Sequence, residues 1–133
     1  MRMYKKPPYI CDCVIRPDTE EQIRELLKIC NDSKIPVTVY GGGSGTVGGV
    51  FPIHGGVTID MGKLNNIIEF DKKSNTITVE AGIIIDNLEE KLNLEGYTIR
   101  HFPQSMRSAS IGGLIATKSV GQFSTKYGGI ENI

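Results

Sequence analysis

Glycines crowd one stretch of the chain, Tyr40-Gly41-Gly42-Gly43-Ser44-Gly45-Thr46-Val47-Gly48-Gly49, set between two apolar runs that read as strands. Further on, His101-Phe102-Pro103-Gln104-Ser105 is followed by Ser110-Ile111-Gly112-Gly113. Glycine-rich loops bare their backbone N–H groups, and a cluster of bare N–H groups holds a phosphate. The second run falls at a predicted helix start, which adds oriented N–H donors and a partial positive charge of about half a unit. The hydroxyls of Ser105, Ser108 and Ser110 add further donors. Taken singly, each loop also reads as plain structure: a glycine turn between strands, and a serine-capped helix with packing glycines. Two such loops in one small chain point to a ligand with two phosphates or one pyrophosphate, and so to a nucleotide cofactor.

Gly43-Ser44-Gly45-Thr46-Val47-Gly48 matches G-x-G-x-x-G. That pattern binds a dinucleotide only when a helix follows, because the helix N-terminus faces the pyrophosphate. Here Val50, Phe51, Pro52, His54, Gly55 and Gly56 lead instead into another strand. No Lys-Ser or Lys-Thr closes the loop, so a Walker P-loop fails as well. Cys11-Asp12-Cys13 is half of a metal site with no second pair to complete it, and burial of small thiols is the plainer reading. His101 reads as a loop or strand histidine before a proton shuttle, His54 as solvated turn chemistry, and Tyr127 as a packing ring or a cofactor contact.

The elements that must position these loops follow from local patterns. Residues 1 to 17 read as an extended lead-in broken by prolines. Asp18 or Thr19 caps a helix in which Ile23, Leu26, Leu27 and Cys30 form one buried face, ended by Asn31-Asp32-Ser33. Ile35 to Tyr40 is a short strand running into the glycine loop, and Gly56 to Asp60 is another. Ile67 to Phe70 and Thr76 to Glu80 flank the turn Asp71-Lys72-Lys73-Ser74-Asn75 as a hairpin with an exposed tip. Asp86 opens a second helix with Leu88, Leu92 and Leu94 among its apolar positions, stopped by Gly96. Tyr97 to Arg100 is a brief strand, and Ser110 to Lys118 a short helix. The expected fold class is α+β, with one small mixed sheet made from residues 35–40, 56–60, 67–70 and 76–80.

The 133 residues suit one domain, and fifteen basic residues balance fifteen acidic ones, which leaves no broad field for nucleic acid or an anionic membrane. Glycine, at 16 residues, is well above its usual share of about 7% and is concentrated in the loops and near the end. Three cysteines, an odd number, argue against a disulfide framework and for a reducing compartment, with a cytoplasmic location expected. Met1 to Pro8 has no apolar centre and is not read as a signal peptide. The ending Gly128-Gly129-Ile130-Glu131-Asn132-Ile133 is apolar and uncapped, and reads as an interrupted domain. An open edge there predicts self-association.

Several ordered motifs together resemble the FAD-binding domain of the vanillyl-alcohol oxidase and p-cresol methylhydroxylase superfamily. They are Arg16-Pro17, Ile35-Pro36-Val37, Gly41-Gly42-Gly43-Ser44-Gly45, Val79-Glu80-Ala81-Gly82, Gly96-Tyr97 and Ser110-Ile111-Gly112-Gly113. His101 to Ser105, Ala116-Thr117-Lys118 and Gly121 to Glu131 look most like the alkyldihydroxyacetonephosphate synthase branch, with the glycolate oxidase and D-lactate dehydrogenase branch a near neighbour. Gln104 and Lys118 depart from the synthase pattern, which has an acidic residue and an arginine there.

The resemblance implies a fold and a site. The fold would be an FAD-binding domain of this type, residues 1–133 forming its first α/β lobe and the start of the second, with the cap domain absent. Val39, Tyr40, Gly41, Gly42, Gly43, Ser44, Gly45 and Thr46 would form the first pyrophosphate loop. Pro103, Gln104, Ser105, Met106 and Ser110 would form the second, with Gly112 and Gly113 against the cofactor. Thr117, Lys118 and Gly121 would line the isoalloxazine or ribityl side. The first loop has no histidine, which implies FAD held noncovalently. No catalytic residue and no metal ligand is assigned. The implied activity of the whole enzyme is flavin-dependent oxidation of a 2-hydroxy acid, or alkyl-for-acyl exchange on dihydroxyacetone phosphate. The residues by themselves leave two other readings open. One is a non-catalytic, partner-dependent remnant without flavin, paired with the rest of the enzyme or a second copy; the other is a binder of a different phosphate ligand.

Overall fold

The computed structural model describes residues 9–133. The first eight residues of the expected lead-in, Pro7 and Pro8 among them, lie outside the described residues. The described residues divide into two compact units, residues 9–40 with 45–63, and residues 41–44 with 64–133.

In the first unit, β1 (Cys13–Ile15), α1 (Glu20–Asp32), β2 (Val37–Tyr40) and β3 (Val57–Asp60) form a three-stranded sheet of order β1-β3-β2 with both pairings parallel. Parallel neighbours cannot be joined by a tight hairpin, so each connection must travel back along the sheet. Helix α1 makes one return and the glycine-rich stretch up to Gly56 makes the other. Thr19 caps α1, its hydroxyl accepting from the N–H of Gln22 at 3.3 Å, while the Gln22 side chain accepts from the N–H of Asp18 at 2.7 Å. Two otherwise orphaned donors are satisfied in this way. The helix ends without glycine; Lys34 itself takes the left-handed conformation, φ 56°. Ile23 and Leu26 are half-buried and Cys30 is buried, but Leu27, expected on the same face, is 45% exposed.

The central strand β3 is the best covered, with Thr58, Ile59 and Asp60 buried. Gly56 precedes it at φ 74°, and a Cβ there would overlap the carbonyl of Pro36. Its N–H donates to the Asp12 carboxylate at 2.6 Å, which ties the start of β1 to the start of β3. Asp60 at the other end accepts from Arg16 Nε at 2.6 Å and from the N–H of Gly62 at 2.9 Å. A carboxylate this buried persists because it is paired and hydrogen-bonded.

The second unit holds the antiparallel hairpin β4 (Ile67–Asp71) and β5 (Thr76–Val79), then α2 (Ile85–Leu94), α3 (Ile111–Ala116) and α4 (Ser124–Tyr127). Its core gathers Ile83, Ile85, Leu88, Leu92, Ala109, Ile111, Leu114 and Ile130, against which Phe70, Tyr97, Ile99 and Met106 pack. The hairpin turn is closed by Asp71, whose carboxylate accepts from the N–H groups of Lys73 and Ser74 and from the Ser74 hydroxyl. Those bonds to its charged form hold Asp71 below the usual carboxylate pKa.

Four strands stand where the sequence places them, but they make two sheets and not one mixed sheet, because β4 and β5 pair only with each other. Cys13–Ile15, expected as lead-in, is a strand in its own right. The strand expected at Tyr97 to Arg100 is absent. The Ile99 N–H donates to the buried Glu89 carboxylate at 2.9 Å and the Thr98 hydroxyl to the same group at 2.6 Å, so a side chain supplies the acceptor that a neighbouring strand would have. Helix α2 begins at Ile85 with Asp86 in its first turn, and Leu94, expected on its apolar side, is 89% exposed.

Candidate functional site

The head of the first glycine loop, Gly41 to Ser44, belongs to the second unit and lies directly against the second loop. A Cβ on Gly42 would overlap the carbonyl of Ser108, and a Cβ on Gly41 would overlap the Ser110 hydroxyl. Gly42 is therefore required by the approach of one backbone to another, whereas Gly41 makes room for the Ser110 side chain. Gly112 answers the same demand, with a Cβ falling 2.8 Å from that of Ala81. Val39 and Tyr40 end strand β2, and Gly45 and Thr46 continue the loop in the first unit. Within the second unit the structure thus brings together Gly41, Gly42, Ser110, Gly112 and Gly113.

The two loops differ in what they leave free. Among the described residues, the N–H groups of Gly42 to Thr46 meet no protein acceptor. The start of α3 is different. The N–H of Ile111 donates to Ile83 O at 2.9 Å, that of Gly112 to Ala81 O at 2.8 Å, and that of Gly113 to Ser110 Oγ at 3.3 Å. With six residues the helix is also too short to carry much of a dipole. The oriented donors expected at this helix start are thus occupied by the protein. The reason is the antiparallel bridge joining Ser110 to Ile84, which no local pattern announces.

The remaining predicted residues are placed as follows. Pro103 is buried and its carbonyl accepts from the N–H of Met106; Ser105 O accepts from the N–H groups of Ser108 and Ala109, and Gln104 is exposed. The Ser108 hydroxyl donates back to Ser105 O at 3.3 Å, so it is not available as the free donor expected of it. Met106 packs on the core. The Thr117 hydroxyl donates to Gly113 O at 2.9 Å, and Lys118 is exposed with φ 48°. Gly121 lies against the backbone of Phe102, where a Cβ would fall 2.8 Å from the Phe102 nitrogen, so chain packing alone accounts for that glycine.

His101 is 1% exposed, with Nε2 3.2 Å from the Ser119 hydroxyl. Burial pushes its pKa below 6.5, and the attraction of Glu131 opposes this only in part. A neutral histidine fixed by Ser119 is a structural member, as the sequence favours. His54 is exposed, and Tyr127 is flanked by Arg100 and Lys126, whose cationic groups lie 5.4 and 5.0 Å from its ring centre. Sequence reasoning missed Glu89, although its spacing from Ile85 and Leu92 puts it on the buried face of α2. It also missed the pairing of Arg16 with Asp60, for which separation along the chain leaves no local signal.

Residues 11–133 match the FAD binding domain family. An FAD-linked oxidoreductase of Escherichia coli, YgcU, is 38% identical over 121 residues, covering 90% of this chain and 25% of that protein. The glycolate oxidase subunit GlcD of Bacillus subtilis is 32% identical over 117 residues, covering 88% of this chain and 25% of its own length. Among solved structures, an alkyldihydroxyacetonephosphate synthase superposes with a TM-score of 0.83 at 31% identity, over 90% of this chain and 25% of that one. The chain spans about a quarter of the length of these relatives.

Proposed function

The chain belongs to the FAD binding domain family, and from that premise we propose that it holds FAD noncovalently, as the cofactor-binding part of a flavin-dependent oxidoreductase. The observation that carries the assignment of the site is the row of unpartnered N–H groups at Gly42 to Thr46, beginning where the loop lies against Ser108 and Ser110. Such a row is a nest for the two phosphates of FAD. In this reading Gly41 and Gly42 seat the loop, Gly43, Ser44, Gly45 and Thr46 donate to the pyrophosphate, and Ser110 and Gly112 fix the loop's other wall. Val39 and Tyr40 lead into the loop; Pro103, Gln104, Ser105 and Met106 shape the second one; Thr117, Lys118 and Gly121 face the rest of the cofactor. The isoalloxazine of bound FAD supplies the hydride acceptor, and orientation and electrostatics are left to the protein.

The substrate is a 2-hydroxy acid, a reading supported by the glycolate oxidase relative. An alkyl-exchange activity on dihydroxyacetone phosphate is the second reading, supported by the superposition on the synthase. Neither is assigned to these residues acting alone, and a catalytic residue is not named. Free Cys11, Cys13 and Cys30 fit a reducing compartment, and we place the protein in the cytoplasm, which fractionation of gently lysed cells checks.

The test is an absorbance spectrum of the purified protein followed by titration with FAD. Flavin bands that shift on binding, with micromolar affinity or better and with free flavin released on denaturation, support the reading. Failure to bind would leave the flavin-free remnant in its place, and flavin that stays attached after denaturation would sink the noncovalent assignment.

A further inference from the structure

We propose that Cys11 and Cys13 are a redox modification site, oxidised by low-molecular-weight disulfides to a Cys11–Cys13 bond that releases Asp12 from Gly56. Burial, the plainer reading of these two thiols from the sequence, does not hold. Cys13 is exposed and Cys11 half-buried, whereas Cys30 is buried at 2% exposure. Free cysteine is among the residue types most often buried, and an exposed one offers reactivity instead of packing. The two thiols flank a single residue, Asp12, and the chain bends there. The N–H groups of Asp12 and Cys13 both donate to Gly56 O, at 2.8 and 3.4 Å, which breaks the alternation of a regular strand. Even a fully extended chain sets residues i and i+2 only about 7 Å apart, and a disulfide spans Cα separations of about 4.4–6.8 Å. A bend shortens that span, so ring closure asks only for a further turn at Asp12.

The consequence falls on Asp12. Its carboxylate accepts from the Gly56 N–H at 2.6 Å while its own N–H donates to Gly56 O, so it is clamped to Gly56 twice. A Cβ on Gly55, which stands at φ 68°, would fall 3.0 Å from the same carboxylate. The clamp joins β1, an edge strand, to the central β3. A disulfide holds its Cβ atoms about 3.8 Å apart, against about 6.6 Å for successive side chains on one face of a strand. Closing the ring therefore tightens the chain at Asp12 and draws it off Gly56. In the first step the Cys13 thiolate, the more exposed of the two, attacks one sulfur of the oxidant; a mixed disulfide forms and one thiolate leaves. The Cys11 thiolate then attacks the Cys13 sulfur, forming the internal bond and expelling the second thiolate. The pair gives up two electrons and two protons, and the oxidant takes them up as two thiols. Exposed and strained disulfides of this kind are the labile ones, fit for sensing and not for structure. The site lies wholly in the first unit and is independent of whether the chain holds flavin.

The experiment treats the purified, reduced chain with glutathione disulfide in the absence of flavin. Remaining thiols are then blocked with a maleimide in denaturant, and the products are mapped by mass spectrometry. The expected product is a peptide holding Cys11 and Cys13 that is two hydrogens lighter and carries no maleimide, with Cys30 recovered as a blocked thiol. Hydrogen exchange at Asp12, Cys13 and Gly56 should be at least tenfold faster in the oxidised chain and return to its starting rate after dithiothreitol. Cys11→Ser lacks the second thiol, so it should accumulate the glutathione adduct on Cys13 at least tenfold over the unaltered chain. A lasting adduct on Cys13 of the unaltered chain overturns the pair, as does a disulfide between two chains. Cys30 oxidised as readily as Cys11 overturns it too, because oxidation would then follow unfolding and not exposure. Unchanged exchange at Asp12 and Gly56 in the fully oxidised chain overturns the release of the clamp.

Discussion

Gly42 and Gly45 stand three residues apart and answer to different demands. A methyl on Gly42 would overlap the Ser108 carbonyl, whereas nothing lies within 4 Å of a methyl on Gly45. Gly45 is also outside the left-handed region, so the protein alone does not require glycine there. A ligand that approaches the backbone closely would require it. Gly45→Ala is therefore expected to leave the melting temperature within about 1–2 °C while weakening FAD at least tenfold, whereas Gly42→Ala should lower both stability and affinity. Calorimetry beside the FAD titration checks this, and unchanged affinity in Gly45→Ala would remove the loop from the site. His101 gives a prediction of a different kind. Its folded pKa lies below 6.5 because burial outweighs the attraction of Glu131, so the unfolded chain binds the proton more readily. Stability then rises with pH up to about 6.5 and this contribution is flat above it. The urea midpoint should fall as pH is lowered from 7 to 5.5, and His101→Gln should flatten that slope while lowering stability at pH 7. An unaltered slope in the variant would mean that another group titrates.

At the scale of elements, local chemistry and distant pairing part company. The Asp71 turn, the Thr19 cap and the Gly96 stop, with φ 80°, are legible because each is decided within a few residues. The division into two sheets is not, because the edges of β4 that could have met β3 carry no mark of what they avoid. The segment from Tyr97 to Arg100 shows the same limit: its apolar alternation is strand-like, yet Glu89, eight to eleven residues earlier on α2, takes its donors. Two loops that look alike in sequence likewise diverge, since the Gly112 N–H is held by Ala81 and the first loop's donors are not. Glu89 is 6% exposed and accepts from both the Thr98 hydroxyl and the Ile99 N–H. Glu89→Ala would strip two donors of their acceptor and open space beside Leu88 and Leu92, at a cost of about 2–4 kcal/mol. Glu89→Gln keeps the volume and one carbonyl acceptor, and should cost less than half as much. Chemical denaturation of the two variants checks the order; equal costs would show that the lost carboxylate acceptor and not the lost volume sets the loss.

For the whole molecule, the decisive fact is how unevenly the buried apolar side chains are distributed. Among the described residues, the first unit buries Cys30 and Ile59 with Pro17, while the second buries Leu64 and the cluster from Ile83 to Ile130. Apolar burial contributes about 25 cal/mol for each Å² removed from water, so a unit with few buried side chains opens at lower free energy. Its sheet is also parallel, and every pairing in it closes a long loop. Parallel sheets persist where both faces are covered, yet Val14 and Val39 are each more than half exposed here. Native-state hydrogen exchange on the chain without ligand should therefore show β1 and β2 exchanging first and the Leu88 to Leu92 turn of α2 last, with protection differing at least a hundredfold. That ordering follows from burial alone and does not depend on the cofactor. Uniform protection across both units would mean that the chain opens in one step, so that burial within a unit does not set its local stability.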